Sequence, residues 1–368
     1  MFRLARTVRV KTPATALRAL LLRCVALACV AALPVAFSVW IDPARLRPWP
    51  DDERTIANAL LAGHYVTDVV NFNDRAIEQL LAEGRTRAPD VLAIGSSRIQ
   101  PLPASAFPGA VFVNAGVAGA GLDDVLAVYA LYDTTTRRPR RVVLNLDPWT
   151  MDPDDDAPAW GRIASAHSAM RRRLGNAGPQ WRAESAVRVS ALRKLASPEY
   201  FRLAVFSFRK YGPSGIRFVV TDRAQNDEKT KSPDGTLVWS PNPPEKTEQL
   251  ALDYVRRMRR GTAPYDGRHA AELPERERLP EQFIRYLREQ RIQVDLLLVP
   301  FHPAVFREFA RRPRNPLVDA AGRARELARR TGAGVVGDYD PSTVSATTSD
   351  FLDESHMRPE ALARLFGH

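Results

Sequence analysis

Two short stretches carry residue types suited to acyl transfer. The segment "DVLAIGSSRIQ", residues 90–100, is an apolar run that ends in Gly95-Ser96-Ser97-Arg98. The segment "SDFLDESHMRPEAL", residues 349–362, carries Asp353 and His356, separated by two residues. A serine hydroxyl becomes a nucleophile when an imidazole takes its proton. The imidazole in turn needs an acceptor on its other nitrogen, which fixes the tautomer and steadies the imidazolium. An Asp three residues before a His, on one tight turn or helix start, supplies that acceptor from the same segment. Alone, Gly95-Ser96-Ser97 reads as a polar turn and Asp353 as a helix N-cap. Placed at opposite ends of one α/β chain, they read as a nucleophile and its base.

The elements between them have to bring the two ends together. Apolar runs at 90–95, 110–116, 141–147, 292–300 and 333–340 read as five strands. Helical spacing marks 121–133, 279–291 and 316–332, the last closed by Gly332. Strands apolar throughout, alternating with helices, predict a parallel sheet covered on both faces. Such sheets place sites beyond the carboxyl ends of their strands. That rule singles out Ser96 and Ser97, the Gly-rich turn "NAGVAGAG", Asp147 in "DPW", and His302 in "PFHP". Asp147 either lines the site or caps a turn. Arg98 either binds an anionic substrate group or pairs with a carboxylate. His302, between prolines, reads as structural. The spacing of the other histidines suggests no metal site, and no cofactor is expected.

Residues 42–89 read as a juxtamembrane helical segment, and 90–150 with 276–368 as the main domain. Residues 151–275 break the rhythm with an acidic run, Arg-rich helical stretches and a Pro-rich polar piece. They read as an insertion, a lid or subdomain with its own helices.

The N-terminal region adds a membrane signal. Residues 24–41 carry no charge, and Leu17 and Leu20–Leu22 extend the apolar run, giving an anchor over 17–41 after a basic tail, 1–16. Arg3, Arg6, Arg9, Lys11, Arg18 and Arg23 precede or flank it, so that end stays in the cytoplasm and the rest is exported. A cleaved signal peptide is the alternative, but no small-residue cleavage pattern follows the run. Both cysteines, Cys24 and Cys29, lie inside it. The 368 residues are 45% apolar, enough for a core, and carry a net charge of +11. Such a surface attracts anionic partners, although Arg-rich usage also follows genomic base composition. No nucleic-acid motif is present, so nucleic acid is not expected as a partner.

On the quoted motifs the sequence resembles the SGNH (GDSL-type) hydrolase superfamily. The likeness is to its membrane-anchored, cell-envelope branch, which includes DltD and alginate O-acetyltransferase proteins. It covers roughly residues 70–150 and 280–362. Gly95-Ser96-Ser97 matches the first block and implies Ser97 as nucleophile. Gly119 matches the oxyanion-hole glycine, with Asn114 and Gly116 shaping its turn. Asp353 and His356 match the last block. The implied fold is a three-layer α/β/α sandwich around a mainly parallel, flavodoxin-like five-stranded sheet. The sequence departs from the family at the third block. Pro148 and Trp149 stand where a Gly-x-Asn-Asp motif would supply a side-chain oxyanion donor, and Asn145 comes too early.

The resemblance implies a serine esterase or O-acyltransferase acting on envelope polysaccharide or exopolysaccharide. The expected partners are an anionic or acylated glycan, the inner membrane and a multi-pass membrane acyltransferase. The alternative is a catalytically inactive binding or assembly factor on the same fold, favoured by the missing Asn.

Overall fold

The apolar runs become short strands because buried, β-branched-rich segments bounded by Gly, Pro and Asp have few other ways to satisfy their backbone. The computed structural model describes residues 13–43, 50–68, 72–150, 159–175, 189, 192–214, 218–240, 244–265, 267 and 274–367. The basic residues Arg3 to Lys11 and the acidic run 151–158 lie outside the described residues. In chain order the strands are β1 (Tyr65–Thr67), β2 (Val91–Ile94), β3 (Phe112–Asn114), β4 (Arg141–Asn145), β5 (Val219–Thr221), β6 (Thr230–Lys231), β7 (Leu237–Val238), β8 (Gln293–Leu298) and β9 (Gly334–Gly337).

The chain is α/β. Five strands form one sheet in the order β3-β2-β4-β8-β9, and every neighbouring pair is parallel. Side chains alternate across it. Leu92, Ile94, Val142, Leu144, Leu296 and Leu298 enter one apolar cluster, with the helices Leu122–Tyr132, Pro274–Glu289 and Pro316–Thr331. Val91, Ala93, Val143 and Leu297 enter another, with Phe107, Phe351, Met357 and Leu362. Each such buried Leu, Ile or Val contributes roughly 1.5–3 kcal/mol. Asn114 and Asn145 stand at the carboxyl ends of β3 and β4, and Asp295 within β8 is paired with Arg141 at 2.6 Å. Gly332 closes its helix in the left-handed conformation, φ 70°, and its N–H bonds the Ala328 carbonyl.

The remaining strands make a small antiparallel sheet, β5-β1-β6-β7. It joins the segment before the main sheet to residues 219–238. The sequence reading gave 42–89 only helices. The structure keeps helices Pro50–Leu61 and Asp74–Gly84 but sets β1 between them. Lys231 on β6 and Glu78 on the second helix form a fully buried ion pair at 3.1 Å.

By its contacts the chain divides into two units, Met1–Arg47 with Ala191–Ile216, and Pro48–Ser190 with Arg217–His368. The sheets belong to the second. In the first, helix Pro13–Ile41 is long and apolar enough over Leu20–Ile41 to cross a membrane. It packs on helix Pro198–Tyr211 through Phe37 against Phe201 and Phe208, at 5.8 and 5.7 Å between ring centroids.

Candidate active site

At the carboxyl end of β2 the chain turns sharply instead of starting a helix. Gly95 makes this possible. Its φ is 149°, and a β-carbon there would lie 2.6 Å from the β-carbon of Asn145 on the neighbouring strand. Beyond it, the Ser96 hydroxyl accepts a 3.1 Å hydrogen bond from the Arg98 N–H, and Ile99 N–H donates to the Ser96 carbonyl. This turn buries Ser96 and Arg98 and leaves Ser97 half-buried between them.

The partner segment is a loop closed by a bridge between Phe351 and Met357 and by Leu352 N–H donating to the His356 carbonyl at 2.8 Å. Within it, Asp353 accepts from the N–H groups of Ser355 and His356, each at 2.9 Å. Its carboxylate also lies 2.9 Å from Nδ1 of His356 through either oxygen. On the other side of the ring, Nε2 is 2.9 Å from the Ser97 hydroxyl. The network assigns the tautomer. With Nδ1–H donating to Asp353, Nε2 is the lone pair that accepts the Ser97 proton. Burial raises the Asp353 pKa, but the His356 charge and these hydrogen bonds outweigh it and hold it down at about 2.

The structure also settles what surrounds Arg98. It is buried, and each of its three guanidinium nitrogens donates to a partner. Nη1 pairs with Asp147 at 2.8 Å. Nε donates to the Ser355 carbonyl at 3.0 Å, and Nη2 to the carbonyls of Val299 and Pro300. The ring of Phe301 lies 4.1 Å from the guanidinium carbon, and Trp149 packs beside Phe301. The expectation that Arg98 contacts an anionic substrate is therefore corrected in favour of its alternative, the carboxylate pair. A guanidinium so enclosed holds three segments together, including the peptide just before His356.

Asp147 is fully buried and accepts from Ser96 and Arg98 and, at 3.2 Å, from the Asn145 amide. Asn145 accepts in turn from the Ser96 N–H and hydroxyl. These residues form a polar base under Ser97. Asn114 donates its amide protons to the carbonyls of Ile99, Gln100 and Leu102 and accepts from Gly116 N–H, so its side chain shapes the turn and is not free to meet a ligand. Gly119 sits exposed in that turn with φ 62°. Val117 N–H donates to the Gly95 carbonyl at 2.9 Å, which seats the turn beside the end of β2. The N–H groups of Ser97 and Gly119 have no acceptor among the described residues. His302 is buried and caps helix Pro303–Ala310, its Nδ1 accepting from Ala304 N–H. Burial lowers its pKa.

Two residues at the site were not foreseen. The Trp239 ring lies 4.6 Å from the His356 ring, and Lys229 Nζ stands 3.3 Å over Trp239. Desolvation lowers the Lys229 pKa, against the pull of Asp353 and Asp74. Both come from the region read as an insertion. The hairpin between β6 and β7 fixes them. Asp234 carbonyl accepts from Asn114 N–H at 2.8 Å, and Leu237 N–H donates to the Gln100 carbonyl at 2.9 Å. The signal available was "PDGT", since Asp-Gly between short β-prone runs marks a hairpin.

Among the described residues no group of three or more His, Cys, Asp or Glu is placed to hold a metal ion. Ser97, His356 and Asp353 together form a proton-transfer chain able to make a serine nucleophile. In comparisons with known proteins, no family model matches the chain and no curated protein matches its sequence.

Proposed function

We propose that this protein is a membrane-anchored, SGNH hydrolase-like serine esterase or O-acyltransferase. The 2.9 Å approach of the Ser97 hydroxyl to His356, with Asp353 behind the ring, carries the reading. The parallel order β3-β2-β4-β8-β9, which is 2-1-3-4-5 when these five strands alone are numbered in chain order, and the two covered sheet faces support a three-layer, flavodoxin-like sandwich. The apolar N-terminal helix supports a single-pass inner-membrane anchor with the main domain outside the cytoplasm.

In the proposed reaction the Ser97 oxygen attacks an ester carbonyl while its proton passes to Nε2 of His356. Asp353 stabilises the imidazolium. The N–H groups of Ser97 and Gly119 are the candidate donors to the oxyanion. Collapse expels the alcohol, which takes the proton from His356, and leaves an acyl-Ser97 ester. A water or sugar hydroxyl then gives its proton to His356 and attacks that ester, and collapse breaks the bond between the acyl carbon and the Ser97 oxygen, which takes the proton back from His356. Water makes the protein an esterase, and a sugar hydroxyl a transferase. Lys229, over the Trp239 ring that packs on His356, supports an anionic glycan as substrate, and the ester chemistry supports an acylated one. A multi-pass acyltransferase is the proposed acyl source.

The second reading is an inactive binding or assembly factor for envelope polysaccharide. Its support is Asn145, whose amide donates to Asp147 and Leu297 and offers no hydrogen to an oxyanion. Losing one such donor costs about 10²–10³ in rate. A fluorophosphonate probe separates the two readings. An activated Ser97 displaces fluoride and becomes phosphonylated, found by mass spectrometry on the Ser97 peptide and absent from His356→Ala. Labelling of neither protein favours the binding factor.

A further inference from the structure

Helix Pro198–Tyr211 is capped by Ser197, whose hydroxyl accepts from Tyr200 N–H, and it ends at Gly212. One side of it meets the carboxyl end of helix Pro13–Ile41. Phe201 and Phe208 touch Phe37, and the Tyr200 hydroxyl donates to Asp42 at 2.6 Å. Trp40 is 53% exposed and lies 5.9 Å from Phe208, which is itself 37% exposed. The open apolar surface of the long helix thus continues onto the shorter one.

On another side stands Phe206, 59% exposed, with Arg202 one turn before it and Arg209 one turn after. Leu192, just upstream, is 66% exposed. Residues 192–211 carry Arg193, Lys194, Arg202, Arg209 and Lys210 against the single acid Glu199. Among the described residues Arg193, Lys194, Arg202 and Arg209 form no ion pair. A helix with exposed aromatic and basic residues side by side, held at the end of an apolar span, has the composition of one that lies in a bilayer interface.

We propose that helix Pro198–Tyr211 beds in the membrane surface at the carboxyl end of the span, with Phe206 below the headgroups and Arg202 and Arg209 on acidic phospholipid. The proposal rests on helix Pro13–Ile41 crossing the membrane. It gives the first unit a second hold on the bilayer and fixes the orientation of the span about its own axis.

The test uses the full chain in vesicles, with Cys24→Ser and Cys29→Ser as background and one nitroxide label at a time on Phe206→Cys, Leu33→Cys or Arg288→Cys. Collision with oxygen reports lipid, and collision with a water-soluble nickel chelate reports solvent. The expected oxygen-to-chelate ratio at 206 is severalfold above that at 288 and approaches that at 33. It rises when phosphatidylglycerol is added to phosphatidylcholine, and Arg202→Gln with Arg209→Gln removes that rise. A water-like 206 beside a lipid-like 33 overturns the proposal and leaves the span intact. Water-like values at both overturn the span reading itself. Shielding of 206 from both reagents shows a protein partner there and also overturns the proposal. A ratio indifferent to phosphatidylglycerol overturns the acidic-headgroup contact.

Discussion

The Ser97 hydroxyl lies 2.9 Å from Nε2 of His356 although 259 positions separate them in the chain. The parallel sheet accounts for the meeting. Ser97 follows β2, next to the sheet's centre, and His356 follows β9, at its edge, and both loops leave from the carboxyl ends of their strands. Arg98 completes the closure by binding Asp147 after β4, the carbonyls of 299–300 after β8, and Ser355 beside His356.

Asp353→Asn keeps the shape but loses the charge that selects the Nδ1–H tautomer. We expect kcat on an aryl ester to fall about 10²–10⁴-fold with KM little changed. Steady-state kinetics check this. An unchanged kcat would show that Asp353 only closes its loop.

Arg98→Met leaves Asp147 buried without its cation. Breaking a buried pair from one side costs about 3–5 kcal/mol, so Tm drops and denaturant unfolding shifts to lower concentration. Arg98→Lys restores charge without the three-way fork, and we expect partial recovery of stability. Its kcat stays low with normal KM, because the Ser355 carbonyl is no longer held. Wild-type stability in Arg98→Met would contradict the pairing.

Acid dependence follows from Asp353, whose pKa falls from its ordinary 3.8 to about 2 on folding. A lowered carboxylate pKa means that the unfolded chain binds the proton more readily. The stabilisation is complete above about pH 4 and is lost as pH falls toward about 2. Denaturant unfolding across that window shows a loss in wild type that is smaller in Asp353→Asn. Parallel curves would remove Asp353 from the account.

Trp239 packs on His356 at 4.6 Å, and its ring limits where the imidazole can swing. Trp239→Ala lowers kcat about tenfold or more, as expected when a reacting group loses its fixed position. Trp239→Phe recovers most of it. A change confined to KM would place Trp239 in substrate binding instead.

Much of the fold was legible because the strands of the parallel sheet are mostly apolar runs bounded by turn residues. All five were readable, and each is a strand of the parallel sheet. The approach of Ser97 to His356 followed from the rule for strand ends. The carboxylate pair of Arg98 was one of two readings the sequence left open, but its other partners were not legible, since they are carbonyls from segments 201, 202 and 257 positions away, and carbonyls leave no mark in sequence. β1, β6 and β7 are two or three residues long, too short for a period to show, and they carry Trp239 and Lys229 into the site.

The most direct measurement is aryl-acetate hydrolysis by the full-length protein in detergent, compared with Ser97→Ala. The account predicts turnover in the wild type and a loss of at least about 10³-fold in the variant, with Ser97→Ala/His356→Ala no worse than Ser97→Ala alone. Equal rates for the wild type and Ser97→Ala would contradict it and leave the binding reading standing.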